Sequence, residues 1–382
     1  MLPAGSPASV MPRARDALAP PAAHAPGAVY VMTNAVDANA IAVFTRAADG
    51  TLTAAGRCST GGHGSGVGRT LPPDPLGSQN ALLLVGPWLC AVNAGSDTIS
   101  VLRIQPHALE VVAVVPSGGA YPVSLTVHHD RLYVLNAAGA GSLVGFTLAP
   151  DGQLTPLAGA TRSLAAATPA DGSQPHILES PAQVGFTPDG TALVVTDKGG
   201  VSGMGRILVF PLGPDRLPAA QPTTTHTAGA VPFGFAFDAH GHLLVVDAGG
   251  GTVTAYQIGS DGRLTPHSTT ESQQAASCWI VTTPDGRYAY TDNAGSHSIS
   301  GFRIAADGQL APLTPGGPTA SAGAGATPID LALSRDGRFL YTLNTGHGTV
   351  GIFEVGIDGG LRALGAVDAV PRVGGAQGIA AC

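Results

Sequence analysis

Charged side chains are scarce in this 382-residue sequence, and lysine is almost absent. Asp, Glu, Lys and Arg together make up 11% of it, against about a quarter in an ordinary soluble domain. Lys198 is the only lysine, and the formal net charge is −7. Nucleic acids and anionic membrane surfaces are bound through clustered cations. No such cluster occurs in the sequence, so we expect no nucleic-acid binding.

Long apolar runs and paired cysteine motifs are also missing. No stretch approaches the 18 uninterrupted apolar residues of a membrane-spanning helix, so we expect no membrane insertion. The four cysteines form no C-x-x-C pair and have no His at zinc-finger spacing. We therefore expect neither a metal nor a cofactor. Cys90 and Cys278 lie in strand-like runs far apart in the sequence, which favours buried free thiols over a disulfide.

The first 27 residues are rich in Ala and Pro and show no strand pattern. Ala23-His24-Ala25 has the small-x-small form of a signal-peptide cleavage site, yet charged residues and prolines occupy the place of its apolar segment. A disordered leader and a truncated signal both fit this composition. The compartment stays open, and the cleavage-like sequence leans towards a periplasmic or secreted protein.

From residue 28 onward one sequence pattern is repeated seven times, with many Gly and Pro residues between its apolar runs. Each copy has an apolar run ending in Asn or Asp, a Gly-rich turn, an alternating strand, and a tight turn followed by Leu. The ending residue advances by 59, 43, 61, 50, 46 and 51 positions along the series Asn34, Asn93, Asn136, Asp197, Asp247, Asn293 and Asn344. A period near 50 built of short strands is typical of a propeller. The sequence thus predicts an all-β fold, a seven-bladed β-propeller.

Each unit also has an apolar strand before the Asn/Asp-ending run, as in QVGFTPDG at 183–190. Four strands, A to D, therefore form one blade. The first unit lacks strand A, whereas GAQGIAA at 375–381 matches a strand A that nothing follows. We predict that this C-terminal strand completes the first blade, which protects the sheet edges. The result is a single propeller domain over residues 28–382, which we expect to be a monomer.

In such blades the A–B and C–D turns lie on one face, and the B–C turns and blade-to-blade connections lie on the other. Binding residues concentrate on loops carried by a rigid scaffold, so we expect any site on the connection face. Its loops carry the candidates His63, Arg69, Asp74, His176, Glu179, His226, Glu271 and Arg372. Alignment of the A strands predicts a ring at the channel mouth, formed by Gln79, Ser124, Gln183, Gly234, Trp279, Asp330 and Gln377. Asp330 is the only ionisable member and hence the candidate acid or base.

The combination of YVxN, I/V-x-V/G-F and DGxL, with PDGR between strands A and B, resembles the propeller lactonases over residues 28–382. That family includes phosphogluconolactonase and fungal carboxymuconate-lactonising enzymes, so the resemblance implies lactone hydrolysis or formation on a small polar substrate. Its hydrolytic members place His, Arg and Glu at the A-strand openings of the middle and later blades. Those openings read SPAQVGF, VPFGFAF, ASCWIVT and TPIDLAL here. A phosphorylated lactone needs Arg or Lys, so we predict little phosphogluconolactonase activity.

Three functions stay open. In a lactone hydrolase or lactone-forming enzyme, Asp330 acts as acid or base and Trp279 stacks on the substrate ring, while polar side chains bond the substrate's oxygens, namely Gln79, Ser124, Gln183 and Gln377. A non-catalytic propeller instead binds a ligand or a protein partner. A metal-dependent lactonase needs several carboxylates converging on the channel, and the ring supplies one. The ring also fits a purely structural role, in which it bonds channel water and holds the inner strands together.

Overall fold

The structure, a computed structural model, describes residues 27–106, 108–165, 173–199, 204–227 and 231–382. Within these ranges thirty β-strands form seven antiparallel sheets. The proposed leader falls outside the described residues, apart from Gly27 at the start of the first strand. No helix in the described ranges is long and apolar enough to cross a membrane. The prediction of an all-β, seven-bladed propeller is confirmed.

The first four blades follow the chain. Blade 1 contains β1 (Gly27–Met32), β2 (Ala40–Arg46) and β3 (Leu52–Ser59). Blade 2 contains β4 (Leu82–Val85), β5 (Trp88–Asn93), β6 (Thr98–Gln105) and β7 (Ala108–Pro116). Blade 3 contains β8 (Pro122–His128), β9 (Arg131–Asn136), β10 (Ser142–Leu148), β11 (Leu154–Pro156) and β12 (Arg162–Ser163). Blade 4 contains β13 (Pro181–Phe186), β14 (Ala192–Asp197), β15 (Gly205–Pro211) and β16 (Thr223–Thr227).

The last three blades repeat the arrangement. Blade 5 contains β17 (Pro232–Phe237), β18 (Leu243–Asp247), β19 (Thr252–Ile258) and β20 (Leu264–Glu271). Blade 6 contains β21 (Ser277–Thr282), β22 (Tyr288–Asn293), β23 (Ser298–Ile304), β24 (Leu310–Pro312) and β25 (Ala320–Ser321). Blade 7 contains β26 (Pro328–Leu333), β27 (Phe339–Asn344), β28 (Thr349–Val355) and β29 (Leu361–Asp368). The chain then returns to blade 1 as β30 (Ile379–Ala381).

Strand β30 closes the ring. It pairs antiparallel with β1, with Val31 opposite Ile379 and Val29 opposite Ala381, and so becomes the inner strand of blade 1. The Ile379 side chain is only 5% exposed and packs in the core between blades 7 and 1. The predicted closure by the C-terminal strand is therefore confirmed, and it leaves no free inner edge on blade 1.

The core lies between neighbouring blades, and the Asp-Gly turns help to seal it. Every residue of strand β27 is buried, whereas the outermost strand β29 is mostly exposed. The aromatic residues of one blade cover the C–D turn of the next: Tyr290 Oη donates to the Gly359 carbonyl at 2.7 Å, and Tyr341 Oη donates to the Gly50 carbonyl at 3.0 Å. Gly50 has a φ of +87°, and a Cβ there would collide with the Phe339 ring. Only glycine fits this turn without strain.

Two features of the outer parts of the blades differ from or refine the sequence expectations. Residues His226 and Glu271 lie in the outermost strands β16 and β20, because these strands D extend into the segments expected to be connections. Among the cysteines, Cys90 and Cys278 are buried, and all four thiols are free.

Candidate functional site

A loop segment crosses the channel on the face that carries the blade connections. Residues 71–80, called here the crossing segment, join blade 1 to blade 2. The Pro75 carbonyl accepts a hydrogen bond at 2.9 Å from Tyr121, which lies at the start of blade 3. The Ser78 carbonyl accepts one at 2.7 Å from Nε1 of Trp279 in blade 6. Because these partners belong to blades on different sides of the ring, the segment must lie across the channel.

Gln79 fills a gap that Gly234 leaves in the predicted ring. Its Nε2 donates to the Ile280 carbonyl of blade 6 at 2.8 Å, and its Oε1 accepts from the Ile280 N–H at 3.1 Å. Gln183 of blade 4 bonds the carbonyl and N–H of Phe235 in blade 5 in the same way, at 3.0 and 2.7 Å. A Cβ on Gly234 would collide with Gln79 Oε1. Gln79 therefore reaches across the channel to make the inter-blade link that blade 5 has no side chain to make.

The remaining uncharged members of the ring also bond to backbone groups. Ser124 Oγ accepts from the Val184 N–H at 3.2 Å and so joins blades 3 and 4. Gln377 holds the crossing segment through the Leu76 N–H at 2.9 Å and the Ser78 carbonyl at 2.8 Å. The structure thus brings the predicted substrate-binding residues to the channel and bonds all of them to the scaffold: Gln79, Ser124, Gln183, Trp279 and Gln377. Their contact with a substrate stays a prediction.

Asp330, the predicted acid or base, lies inside the channel beside a second carboxyl group. Its φ of +117° is rare outside glycine, and the residue is only 3% exposed. Its two carboxyl oxygens accept from the N–H groups of Leu331 at 2.9 Å and Ile379 at 3.3 Å. Asp292 Oδ2 in turn accepts from the Asp330 N–H at 2.7 Å. Burial raises the pKa of both carboxyl groups well above the usual range, and the Asp292 charge raises the pKa of Asp330 further.

Asp74 of the crossing segment and Lys198 both bond to the backbone of Gly77. Asp74 Oδ1 accepts from the Gly77 N–H at 2.9 Å, and Lys198 Nζ donates to the Gly77 carbonyl at 2.5 Å. Asp74 and Lys198 are each only 3% exposed. Burial raises the pKa of Asp74 to about 6 and lowers the pKa of Lys198 to about 8, while the attraction between their charges opposes both shifts. Both groups therefore titrate closer to neutral pH than usual, as acid–base groups of active sites do.

Asp74, Lys198, Asp292 and Asp330 form one electrostatic group, called here the channel cluster. The Asp74 charge contributes to the raised pKa of both Asp292 and Asp330. Sequence reasoning missed Asp292, because it precedes the Asn that ends strand B and its side chain turns into the channel. It also gave Lys198 no role. The available signal was compositional, since a single lysine in a chain so poor in charge directly follows the end of a strand B.

The other connection residues chosen from the sequence lie apart from the channel cluster. His63 is exposed, with Nδ1 3.0 Å from the Val36 carbonyl oxygen. His176 Nδ1 lies 4.0 Å from Glu179 Oε1, and both side chains are more than a third exposed. Two exposed arginines complete the set, Arg69 and Arg372.

In chemical terms the channel cluster offers what acyl chemistry on an ester requires. It has one carboxyl group, that of Asp74 with a pKa of about 6, that can accept or give a proton near neutral pH, and a cation, Lys198, that can stabilise negative charge on an oxygen. Its surroundings exclude water, which strengthens both effects. In the described ranges no group of three or more His, Cys, Asp or Glu side chains is arranged to hold a metal ion.

Comparison with known proteins assigns the fold to a family. The family model for "Lactonase, 7-bladed beta-propeller" matches residues 81–246 and 222–328, together well over half of the chain. The chain belongs to this family. The resemblance to the propeller lactonases that the sequence repeat indicated is thus confirmed. Comparison with curated protein sequences finds no significant match.

Solved structures agree with the family assignment at the level of the fold. A periplasmic gluconolactonase from Pseudomonas aeruginosa superposes with a TM-score of 0.72 at 19% identity, over 93% of this chain and 98% of that one. Proteins described as candidate 6-phosphogluconolactonases give similar values. For one from Bacteroides uniformis the TM-score is 0.73 at 21% identity, over 93% of this chain and 99% of that one. For one from Bacteroides fragilis it is 0.72 at 19%, over 93% and 98%.

The A-strand openings of the middle and later blades carry no His, Arg or Glu, the residue types that the family resemblance led us to look for. Strand β13, which occupies one of these openings, is buried along its whole length and consists of small and apolar residues apart from Gln183. The Lys198 ammonium is engaged by the Gly77 carbonyl and lies 4.7 Å from the centroid of the Phe233 ring. This cation is therefore buried and already engaged, unlike the open arginine clusters that bind phosphate.

Proposed function

We propose that this propeller is a lactone hydrolase that acts on a small polar lactone without a phosphate group, at the channel cluster. The observation that carries the proposal is the placement of Asp74 and Lys198. The two groups lie buried together at the channel on the connection face, with their pKa values displaced towards neutrality. Perturbed pairs of this kind are typical of acid–base sites. Membership of the lactonase family supports the choice of reaction.

The residues suit each part of the reaction. Water attacks the lactone carbonyl carbon, the ring C–O bond breaks, and a hydroxy acid forms. With a pKa of about 6, Asp74 is ionised at neutral pH and can accept the proton of the attacking water. With a pKa of about 8, Lys198 is protonated and can stabilise the negative oxygen of the tetrahedral intermediate. The proton taken by Asp74 then passes to the ring oxygen as the bond breaks.

Access to the channel cluster requires the crossing segment to shift. Asp74 and Lys198 are each 3% exposed, and the Pro75 carbonyl is fixed by Tyr121 and by Gln174 Nε2, which donates at 3.0 Å. We propose that substrate enters when these bonds on the blade 3 side open. Movements of active-site loops commonly take place on the microsecond to millisecond timescale.

Asp330, the acid or base predicted from the sequence, remains the second candidate for proton transfer. Its carboxyl group is stabilised in the protonated form by burial and by Asp292, so it suits the role of acid better than that of a base at neutral pH. In the proposal Asp330 lies at the inner end of the channel cluster, away from the substrate, and Asp74 lies at the end that contacts the substrate. The residues Gln79, Ser124, Gln183, Trp279 and Gln377 keep their proposed role in lining the bound substrate.

A panel of lactones and esters tests the proposal. Acid release from glucono-δ-lactone, δ-valerolactone, γ-butyrolactone and phenyl acetate is followed with and without EDTA, for the parent and for Asp74→Asn. The matched control is Asp307→Asn, which changes an exposed carboxylate in the turn after β23, on the other face. We expect hydrolysis of at least one lactone, unaffected by EDTA and by Asp307→Asn and strongly reduced in Asp74→Asn. Absence of acid release from every compound overturns the proposal in favour of a binding propeller.

A further inference from the structure

A second candidate site lies on the face opposite the channel cluster, between blades 6 and 7. A cleft of about 580 Å³ opens there. Its walls are the A–B turn of blade 6, the A–B turn of blade 7 and the C–D turn of blade 7, in the ranges 283–288, 335–338 and 355–357. The three turns come from two blades and are held together, since Tyr288 Oη donates to the Ile357 carbonyl at 2.9 Å. The cleft is therefore part of the fixed scaffold.

The cleft carries more positive than negative charge, in a chain whose net charge is −7. Its lining includes three arginines and two aspartates. The Asp285 carboxylate is engaged by Arg287 Nε at 2.7 Å. Asp336 Oδ1 accepts from Ser334 Oγ at 2.6 Å and from the Arg338 N–H at 3.2 Å. Asp336 is thus engaged mainly by its own turn.

Two guanidinium groups of the cleft have no carboxylate of the described residues at ion-pair distance, although Arg338 lies 5.2 Å from the centroid of the Phe339 ring. Within the described part of the chain, Arg335 and Arg338 form no ion pair within 4.0 Å. Both residues are exposed and lie in the same turn. Arg335 takes the place that a proline holds in the equivalent turns at 188–190 and 284–286. Paired guanidinium groups bind carboxylate and phosphate oxygens through parallel N–H donors.

An apolar surface stands next to these cations. Ile357 is 82% exposed, the highest value among the large hydrophobic residues of the described structure. Pro284 and Val355 also line the cleft. An exposed isoleucine beside guanidinium groups without an ion-pair partner among the described residues suits a ligand with an anionic head and an apolar body. Burial of such a body contributes roughly 25 cal/mol for each Å² removed from water.

We propose that the cleft between blades 6 and 7 binds a small organic anion, with a carboxylate or phosphate head held by Arg335 and Arg338 and an apolar group against Ile357. The site is independent of the lactone chemistry, because it lies on the other face of the propeller. The ion pair between Arg287 and Asp285 stabilises the A–B turn of blade 6, which forms one wall of the cleft. The ligand is recognised by charge and by apolar contact together.

Isothermal titration calorimetry of the full chain at low salt tests this site with four probes. Benzoate and phenyl phosphate carry both features, inorganic phosphate carries only the charge, and benzyl alcohol carries only the ring. We expect benzoate or phenyl phosphate to bind with a Kd of about 1 mM or tighter, and the comparison of the two identifies the preferred head group. Inorganic phosphate is expected to bind at least about 5-fold more weakly, and benzyl alcohol not measurably.

Point variants connect that binding to the cleft. Arg335→Gln and Arg338→Gln should each weaken binding of the better probe by about 10-fold, the effect of losing one charge-assisted hydrogen bond. Ile357→Ser should weaken it about 5-fold without changing the binding of inorganic phosphate. The control is Arg263→Gln, an exposed arginine in a turn of blade 5 that pairs with Asp261. Absence of binding by both organic anions, or binding that Arg335→Gln and Arg338→Gln leave unchanged, overturns the site.

Discussion

The buried couple of Asp74 and Lys198 can be removed one group at a time or together. Lys198→Met leaves the Asp74 carboxyl group buried without its cation, and Asp74→Asn leaves the Lys198 ammonium group buried without its carboxylate. Removing one partner of a buried ion pair costs about 3–5 kcal/mol. Asp74 and Lys198 are not in direct ion-pair contact within 4.0 Å and interact through the backbone of Gly77, so we expect the lower end of this range. At about 2 °C per kcal/mol for a domain of this size, each single variant should melt about 6 °C below the parent.

The double variant Asp74→Asn/Lys198→Met separates stability from activity. Replacing a buried ion pair by uncharged groups of similar volume is often neutral or stabilising. We therefore expect its melting temperature to return to within about 2 °C of the parent. Lactone hydrolysis should stay reduced by about 10²–10⁴-fold in all three variants, since neither the base nor the cation is restored. A double variant with parental stability and parental activity would refute the catalytic role of the couple.

The pH dependence of melting gives an independent check on the same residues. In the parent, the pKa of Lys198 is lowered to about 8, so its contribution to stability is lost as the pH falls from above 10 to about 8. In Asp74→Asn the carboxylate that opposed this shift is gone, and the folded-state pKa falls further. The melting temperature of the variant should therefore keep rising with pH between 7 and 8, where the Lys198 contribution in the parent is already lost. Equal slopes for the two proteins in this range would show that Lys198 does not respond to Asp74.

Three other predictions concern the inner channel, the closing strand and the substrate. Asp330→Asn should lower the melting temperature by about 2–6 °C, because the amide turns a donor towards the N–H of Leu331 or Ile379; parental melting would contradict this, and a rate loss of about 10²–10⁴-fold in the lactone assay would add a catalytic role. Removal of residues 375–382 should give a protein that aggregates or melts without cooperativity, and unchanged calorimetric melting would refute the closure argument. Phosphogluconolactone should be hydrolysed little or not at all; a turnover of about 1–10³ s⁻¹ in a coupled assay would contradict this.

The propeller could be predicted because its information is local and repeated. Each blade repeats an alternating strand, an Asp-Gly turn and a Leu, and these short-range signals fix strand and turn with little help from distant residues. The closing strand could be predicted by counting strands, because the first blade lacked a strand A and the last copy of the strand A pattern had no blade of its own. Strand ends were predicted less well. His226 and Glu271 fell in strands D, because edge strands of polar composition look like loops in a single sequence.

The channel cluster could not be predicted in the same way, because it depends on contacts between distant segments. Gln79 bonds Ile280, 201 positions away in the sequence, and the course of the crossing segment has no local signal. Alignment of the A strands placed Gln79 in the ring of its own blade, whereas it fills the space of Gly234 in another. The sequence held one sign that a side chain from another blade fills this space, because Gly234 is the only predicted ring position without a side chain.

The polar groups of the channel differ in what the fold requires of them. In blades 3 and 4 the links between neighbouring inner strands are made by Ser124 and Gln183, which carry no charge. In blades 6 and 7 the corresponding links are made by Asp292 and Asp330, whose burial costs several kcal/mol when they ionise. Each of these two carboxyl groups accepts N–H bonds through both of its oxygens, which an amide with a single acceptor oxygen cannot do. Asp292 and Asp330 therefore serve the scaffold, whereas Asp74 and Lys198 bond to Gly77 of the crossing segment rather than to an inner strand. The proposed acid–base chemistry gives these two buried groups a reason to be ionisable.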